Sequence, residues 1–416
     1  MSLQGKRLLL LGGSNSIDDI RRFADHHGIT LIATAHPRYG VTPLKAIADE
    51  SYDVNAIDEV GLIDLIRDKR IDGIYPGNNE DIMPHAIAAA EGAGLPVYCS
   101  ADMWDNCANK AKFKAMCTAN GIPVAGVYDP AAPENIPYPV AVKPADSCGS
   151  QGFSICRSAA ELPAAVENAR KFSRTDTVLV EDFIPYNASI IHYTLVGGEA
   201  VFSGISDKKS MLLGKDAGSV MALQQFPSVD TDAYLRTLDK KVRNMFANNH
   251  MHDGPLWIEA FNDHGHFIFN EIGYRFGGSM TYHPVRYFYH FDQLEFMLRY
   301  ALGEKPELTE MTELLPCGYP DGMHYSILPL HVHPGSISKI LGESEVNALP
   351  NLYTYVPIHF VGDTISGTGT VHQVFCYLHI LYKDMNDLQR TVSDVMDTLK
   401  VYDAEGRNLL FRLYEF

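Results

Sequence analysis

Residues 255–279 read PLWIEAFNDHGHFIFNEIGYRFGGS. Two apolar runs, 255–261 and 266–272, flank the turn-forming Asp263-His264-Gly265, and the pattern predicts a β-hairpin. Each run carries one acid, Glu259 or Glu271. Pairing across the turn brings both carboxylates near one end of the ribbon, facing one ligand space. A bare charge between Trp257-Ile258 and Ala260-Phe261, or between Phe269-Asn270 and Ile272, is costly without a partner. A magnesium ion, which favours hard oxygen donors, removes that cost. The alternative is two solvent-facing strand acids. Just beyond Glu271, Arg275 stands among Gly273, Gly277 and Gly278. A guanidinium fixed there is placed to clamp the oxygens of a transferring phosphoryl group.

Upstream, Tyr138-Pro139-Val140-Ala141-Val142-Lys143-Pro144 predicts a strand whose end carries a lysine. The small residues Ser147, Cys148, Gly149, Ser150 and Gly152 follow, with Gln151 among them. Such a loop lets successive amides approach phosphate oxygens while Lys143 supplies a point charge. A plain hairpin turn is the competing reading. No Gly-Lys-Ser/Thr follows, so this is not a Walker A loop. Val178-Leu179-Val180-Glu181-Asp182-Phe183-Ile184 predicts a strand able to offer backbone groups to an adenine edge, with Phe183 and Ile184 packing nearby. Further strands are expected at 190–196, and helices at 100–125 and 231–249.

The first hundred residues alternate between strand and helix patterns. Strands are expected at 7–11, 29–35, 73–75 and 96–99, and helices at 17–27, 60–69 and 83–92. This predicts a doubly wound parallel sheet. Gly12-Gly13-Ser14-Asn15 follows the first strand but lacks GxGxxG, so a substrate-lining turn fits better than a dinucleotide site. Pro76-Gly77-Asn78-Asn79-Glu80 either lines the same crevice or forms a solvated loop. Beyond Pro306 the texture changes to short strands and Gly/Pro turns, with one helix at 384–399. The chain is therefore expected to divide into 1–99, 100–305 and 306–416, with mixed α/β and α+β architecture.

Bulk properties exclude several partners. The chain has 34 basic and 51 acidic side chains among 416 residues, a formal charge of −17. Such a surface repels nucleic acid and anionic membranes. Seven scattered cysteines without a CxxC pair argue against a disulfide framework and for a reducing, cytoplasmic setting. The short apolar run Leu8–Leu11 is too brief for a signal peptide or membrane span. His331 and His333 share one strand face and could bind a metal, or be ordinary strand histidines. Arg286 could meet a substrate carboxylate, though its aromatic neighbours read mainly as core. For Cys148 no base can be named, which argues against a nucleophilic role.

The order of these elements is a lysine inside a helix (Lys110), Lys143 with its glycine loop, Val-Glu-Asp-Phe-Ile, then Glu-x11-Glu-x3-Arg-x-Gly-Gly. It closely resembles the ATP-grasp superfamily over roughly residues 100–305, especially carboxylate-amine and L-amino-acid ligases and the large subunit of carbamoyl-phosphate synthase. By that resemblance Lys110 and Lys143 contact ATP phosphates, and Ser147, Cys148, Gly149, Ser150 and Gly152 belong to a closing lid. Glu181, Asp182, Phe183 and Ile184 form the adenine hinge, Asn187 is the ribose candidate, Glu259 and Glu271 hold magnesium, and Arg275 clamps phosphate. Lys143 and Arg275 are then the catalytic pair. The implied activity is ATP- and magnesium-dependent activation of a carboxylate as an acyl phosphate, followed by transfer to an amine. Bicarbonate activation and nucleotide binding without turnover are alternatives. Small-molecule substrates and a homodimer are the implied partners. Three departures stand out: Asn187-Ala188-Ser189 replaces an expected ribose-binding acid, Gly273 replaces an asparagine, and Gln151 replaces a basic lid residue.

Overall fold

The computed structural model describes residues 2–12, 16–34, 43–147, 149, 151–185, 187–213, 219–305, 322–367 and 369–416. The N-terminal part holds a four-stranded parallel sheet in the order Glu50–Tyr52, Thr30–Thr34, Arg7–Leu11, Gly73–Tyr75. Leu8 and Leu10 pack with Ile20 and Phe23, whereas Leu9 and Leu11 pack with Leu62 and Ile66. The central strand is thus buried on both faces, which is why it reads as an unbroken leucine run. Helix Ile17–His27 ends at Gly28 in the left-handed conformation, φ 67°.

Three expectations need correction. Residues 96–99 form no strand; Tyr98 instead reaches out of the segment and donates to the Tyr274 carbonyl at 2.7 Å. Its apolar character serves tertiary contact rather than pairing. The fourth strand is Glu50–Tyr52, too short and polar to show a strand signal. The helical stretch after residue 100 is two helices, Ala101–Ala108 and Lys110–Ala119. Asn109 divides them because its side chain accepts from the amides of Ala111 and Lys112, capping the second. The 231–249 stretch is likewise split, into Thr231–Thr237 and Asp239–Asn248.

The rest is organised by a nine-stranded sheet. Its path runs His266–Gly273, Gly254–Asp263, Ala188–Val196, Glu199–Leu212, Ser219–Phe226, His324–Val332, Val374–Tyr382, Leu352–Pro357, with Leu410–Arg412 also paired to His324–Val332. It takes strands from both sides of residue 306, joined by Gln224 opposite Ile327. Glu199–Leu212 escaped the sequence reading because serines, an aspartate and two lysines interrupt its apolar pattern. A separate three-stranded sheet joins Ser154–Cys156, Val140–Pro144 and Val178–Asp182. Helix Met385–Thr398 packs its buried Leu388, Val392 and Val395 into the C-terminal core. Cys99, Cys107, Cys117, Cys156 and Cys376 are buried and free. Among the described residues, no helix is long and apolar enough to cross a membrane.

Four histidines are buried, His192, His331 and His379 on strands of the large sheet and His283 in helix Tyr282–Tyr289. Burial lowers His192 to about 3 and His331 to about 4, and drives His283 and His379 well below the usual histidine range. The His331 ring lies 5.7 Å from that of Phe411, tilted by 34°, and neither ring nitrogen has a hydrogen-bond partner among the described residues. No group of three metal-ligating side chains is found among those residues either. Each histidine binds its proton more readily in the unfolded chain. Their stabilising effect is therefore complete above the ordinary value near 6.5 and is lost as pH falls toward the folded value. Unfolding free energy should drop between pH 6.5 and 5, by up to about 1.4 kcal/mol per pH unit for each histidine. Urea titrations across that range should show a shallower slope for His331→Phe; an unchanged slope would remove His331 from the account.

Candidate active site

The hairpin forms as its alternation requires. Strands Gly254–Asp263 and His266–Gly273 turn at His264 and Gly265, both at positive φ (48° and 88°). Glu259 lies directly opposite Glu271, and Trp257 opposite Gly273. Immediately past Glu259 the register shifts, because Ala260 pairs with Phe269 and leaves Asn270 as an extra residue. This bulge turns the Asn270 side chain toward the acids, a common use of bulges beside functional sites. Its amide nitrogen donates to Glu259 Oε1 at 2.9 Å, and its oxygen accepts from Lys143 Nζ at 2.7 Å.

Lysines converge on this hairpin from three other elements. Lys110, the first residue of its helix, places Nζ 3.2 Å from Glu271 Oε2 and donates to the Ser147 carbonyl at 2.6 Å. Lys143, on the small sheet, pairs with Glu181 as well as Asn270. Lys114, one turn beyond Lys110, lies 3.0 Å from the other Glu181 oxygen, though not at a hydrogen-bonding angle. Lys208, from strand Glu199–Leu212, reaches Glu259 Oε2 at 2.5 Å. Four lysines thus meet three glutamates, a local charge of +1 inside a chain of −17.

Burial competes with neighbouring charge at each of these groups. It pulls the Lys143 ammonium below its ordinary value, with Lys114 and Lys110 adding to the effect and Glu181 opposing it. Burial would raise Glu271, but Lys110, Lys143 and Lys208 together hold its carboxyl below the usual range. Burial would lower Lys208 too, and Glu259 outweighs it, leaving Lys208 raised. Opposed carboxylates are the hard-oxygen donors a divalent ion takes, and each pairs here with a lysine, Glu271 with Lys110 and Glu259 with Lys208. Glu259 and Glu271 fit magnesium on that chemistry.

The remaining expected residues fall into two groups. Arg275 donates to the Phe276 carbonyl at 2.6 Å, pairs with Glu80 at 2.5 Å and lies 5.5 Å from the centre of the Trp257 ring. That contact brings the loop containing Glu80 to the hairpin end. Phe183 and Ile184 follow the small sheet's strand and are half-buried. The Asp182 carboxylate is committed elsewhere, accepting from the Gly126 amide at 2.8 Å and Tyr128 Oη at 2.5 Å. Gly149, Gly152 and Asn187 make none of the contacts of the charge cluster; Asn187 is exposed, and its carbonyl accepts from Asn262. Cys148 and Ser150 lie outside the described residues, as do Gly13, Ser14 and Asn15. Arg286 is held by Asp19 and Asp292, at 3.1 and 2.7 Å.

Sequence reading missed Lys114, Lys208, Asn270, Trp257 and Glu80 as partners. Lys114 was accessible through helical spacing, four residues from Lys110. Lys208 was hidden in an unassigned strand, and Asn270 by a bulge that alternation does not reveal. Glu181 is 2% exposed between Lys114 and Lys143, so removing its charge strands two buried cations. Glu181→Gln should lower unfolding free energy by about 3–5 kcal/mol, read from urea denaturation. A loss under about 1 kcal/mol would mean that the cluster is wetter than its burial indicates.

Comparison with known proteins bears on the fold. The family described as "D-ala D-ala ligase C-terminus" matches residues 114–206. The formate-dependent phosphoribosylglycinamide formyltransferase of Wolinella succinogenes is 29% identical over 205 residues, 47% of this chain and 52% of that protein. The chain spans about half the length of the curated relatives it matches. The L-amino acid ligase of Bacillus licheniformis superposes with a TM-score of 0.73 at 20% identity, covering 96% of this chain and 99% of the other. The biotin carboxylase domain of Hydrogenobacter thermophilus 2-oxoglutarate carboxylase, solved with MgADP and bicarbonate, gives 0.77 at 16% identity, covering 97% and 91%. In fold this chain is similar to an L-amino acid ligase and to a biotin carboxylase domain, and a stretch of it matches the D-ala D-ala ligase C-terminal family.

Proposed function

We propose that the chain is an ATP- and magnesium-dependent ligase that activates a carboxylate as an acyl phosphate and transfers the acyl group to an amine, releasing ADP and phosphate. The observation that carries this reading is the meeting of Glu259 and Glu271 with Lys110 and Lys143, which come from separate elements onto one hairpin face. The L-amino acid ligase and the formate-dependent formyltransferase named above support it, since both names imply an acid joined to a second substrate.

In this reading Phe183 and Ile184 flank adenine, with the backbone after Asp182 offering hydrogen bonds to its edge. Lys110 and Lys143 bind the phosphates, and Arg275 holds the equatorial oxygens of the transferring group. Glu259 and Glu271 would hold magnesium, which would supply positive charge against the phosphates. A carboxylate oxygen attacks the γ-phosphorus while the bond to the ADP oxygen breaks. The amine nitrogen then attacks the acyl carbon, loses a proton, and expels phosphate. Positioning and fixed charge account for most of the rate in such phosphoryl transfers. Water has to be kept from the acyl phosphate until the amine arrives.

A phosphate-release screen with ATP and magnesium tests the reading, using amino acids singly and in pairs, formate with amines, and bicarbonate. Release that requires both an acid and an amine is expected. Bicarbonate-dependent release without an amine would transfer the site to a carboxylase. Glu271→Ala should cut acceptor-dependent ADP release by about a hundredfold or more while the circular dichroism spectrum is kept. Near-normal turnover in that variant would exclude Glu271 from the metal site.

A further inference from the structure

Gly273 is a glycine for reasons of space. Its φ lies outside the left-handed region, so the backbone there does not require glycine. A Cβ at this position would fall 2.3 Å from Trp257 Cε2 and 2.5 Å from Cζ2 and Nε1. The indole therefore lies over Gly273, its partner across the hairpin. Successive pairs on one face share a side, so Trp257 stands in the same row as Glu259 and Glu271.

The other neighbour of that ring is the Arg275 guanidinium, 5.5 Å from its centre. A guanidinium over an aromatic ring is held by the ring's negative face, more strongly as water is excluded. The Arg275 side chain is 12% exposed. Its three neighbours differ in what an incoming anion would do to them. The Phe276 carbonyl is covalently adjacent and stays; Glu80 is an anion, and any phosphate oxygen competes with it directly. The ring is neutral and is left in place.

We propose that Trp257 is the positioning residue for Arg275. Admitted by Gly273, the indole holds the guanidinium against the hairpin while an anionic ligand exchanges with Glu80. The ligand then meets a guanidinium already ordered, and loses less free energy to fixing it. This rests on the reading of Arg275 as the clamp for phosphate oxygens.

The test is a double-mutant cycle on binding of magnesium with a non-hydrolysable ATP analogue, followed by calorimetry. Trp257→Ala and Arg275→Ala should each weaken binding about tenfold, and the double variant should be no weaker than either alone. Trp257→Phe, which keeps a ring, should recover most of the loss. Gly273→Ala, which drives the indole off its seat, should resemble Trp257→Ala. Thermal melts accompany each variant, and the phenylalanine and Gly273 variants decide the matter should Trp257→Ala fold poorly. The chain has two tryptophans, Trp104 and Trp257. Trp104→Phe therefore leaves Trp257 as the sole emitter, whose fluorescence should change on adding the analogue. Additive losses with intact nucleotide binding would overturn the positioning role and leave the ATP reading standing. Failure of the unaltered protein to bind the analogue would overturn the ATP reading, and this inference with it.

Discussion

Seven ionised groups share the space between the small sheet and the end of the hairpin, and none of them is stable there without the others. Lys114 and Lys143 are balanced on Glu181, Lys110 on Glu271 and Lys208 on Glu259. Removing any of these charges from water is costly, and pairing offsets the cost only when geometry is tight and the remaining hydrogen bonds are made. Asn270 supplies those bonds, donating to one acid and accepting from one lysine. The cluster therefore fixes how the helix at Lys110, the small sheet and the hairpin sit together. An excess of one positive charge makes the same arrangement receptive to an anion despite the acidity of the chain.

Register governs the hairpin's part in this. A slip of one residue would send every side chain to the opposite face and separate Glu259 from Glu271. The bulge at Asn270 keeps both acids on the ligand face while adding a polar side chain between them and Lys143. Gly273 belongs to the same logic, because it gives the indole of Trp257 a seat beside the acids. Glycine at this position offers no side-chain oxygen and leaves room for an aromatic wall.

The N-terminal sheet contributes through its loops rather than its strands. Glu80 follows Gly73–Tyr75 and reaches Arg275, 195 residues further along. Tyr98, in a segment whose apolar residues suggested a strand, anchors the Tyr274 carbonyl next to that arginine. Asp19, in the first helix, holds Arg286. Ligands in parallel α/β sheets commonly bind outside the carboxyl ends of the strands, and Glu80 emerges from such an end.

Much of this was legible in the amino-acid order. Leu8–Leu11 announced a doubly buried parallel strand, and the two apolar runs around Asp263-His264-Gly265 announced a hairpin carrying one acid on each arm. Lys143 at a strand end and Lys110 inside a helical stretch were visible for the same reason: alternation and helical spacing are local properties, set within a few residues. The meeting of Lys208 with Glu259, of Lys114 with Glu181, of Glu80 with Arg275, and of Trp257 with Gly273 was decided only by the tertiary structure. Those contacts depend on strand order, on one bulge and on the packing of distant cores, and burial energy summed over the whole chain chooses among the alternatives that local patterns leave equal.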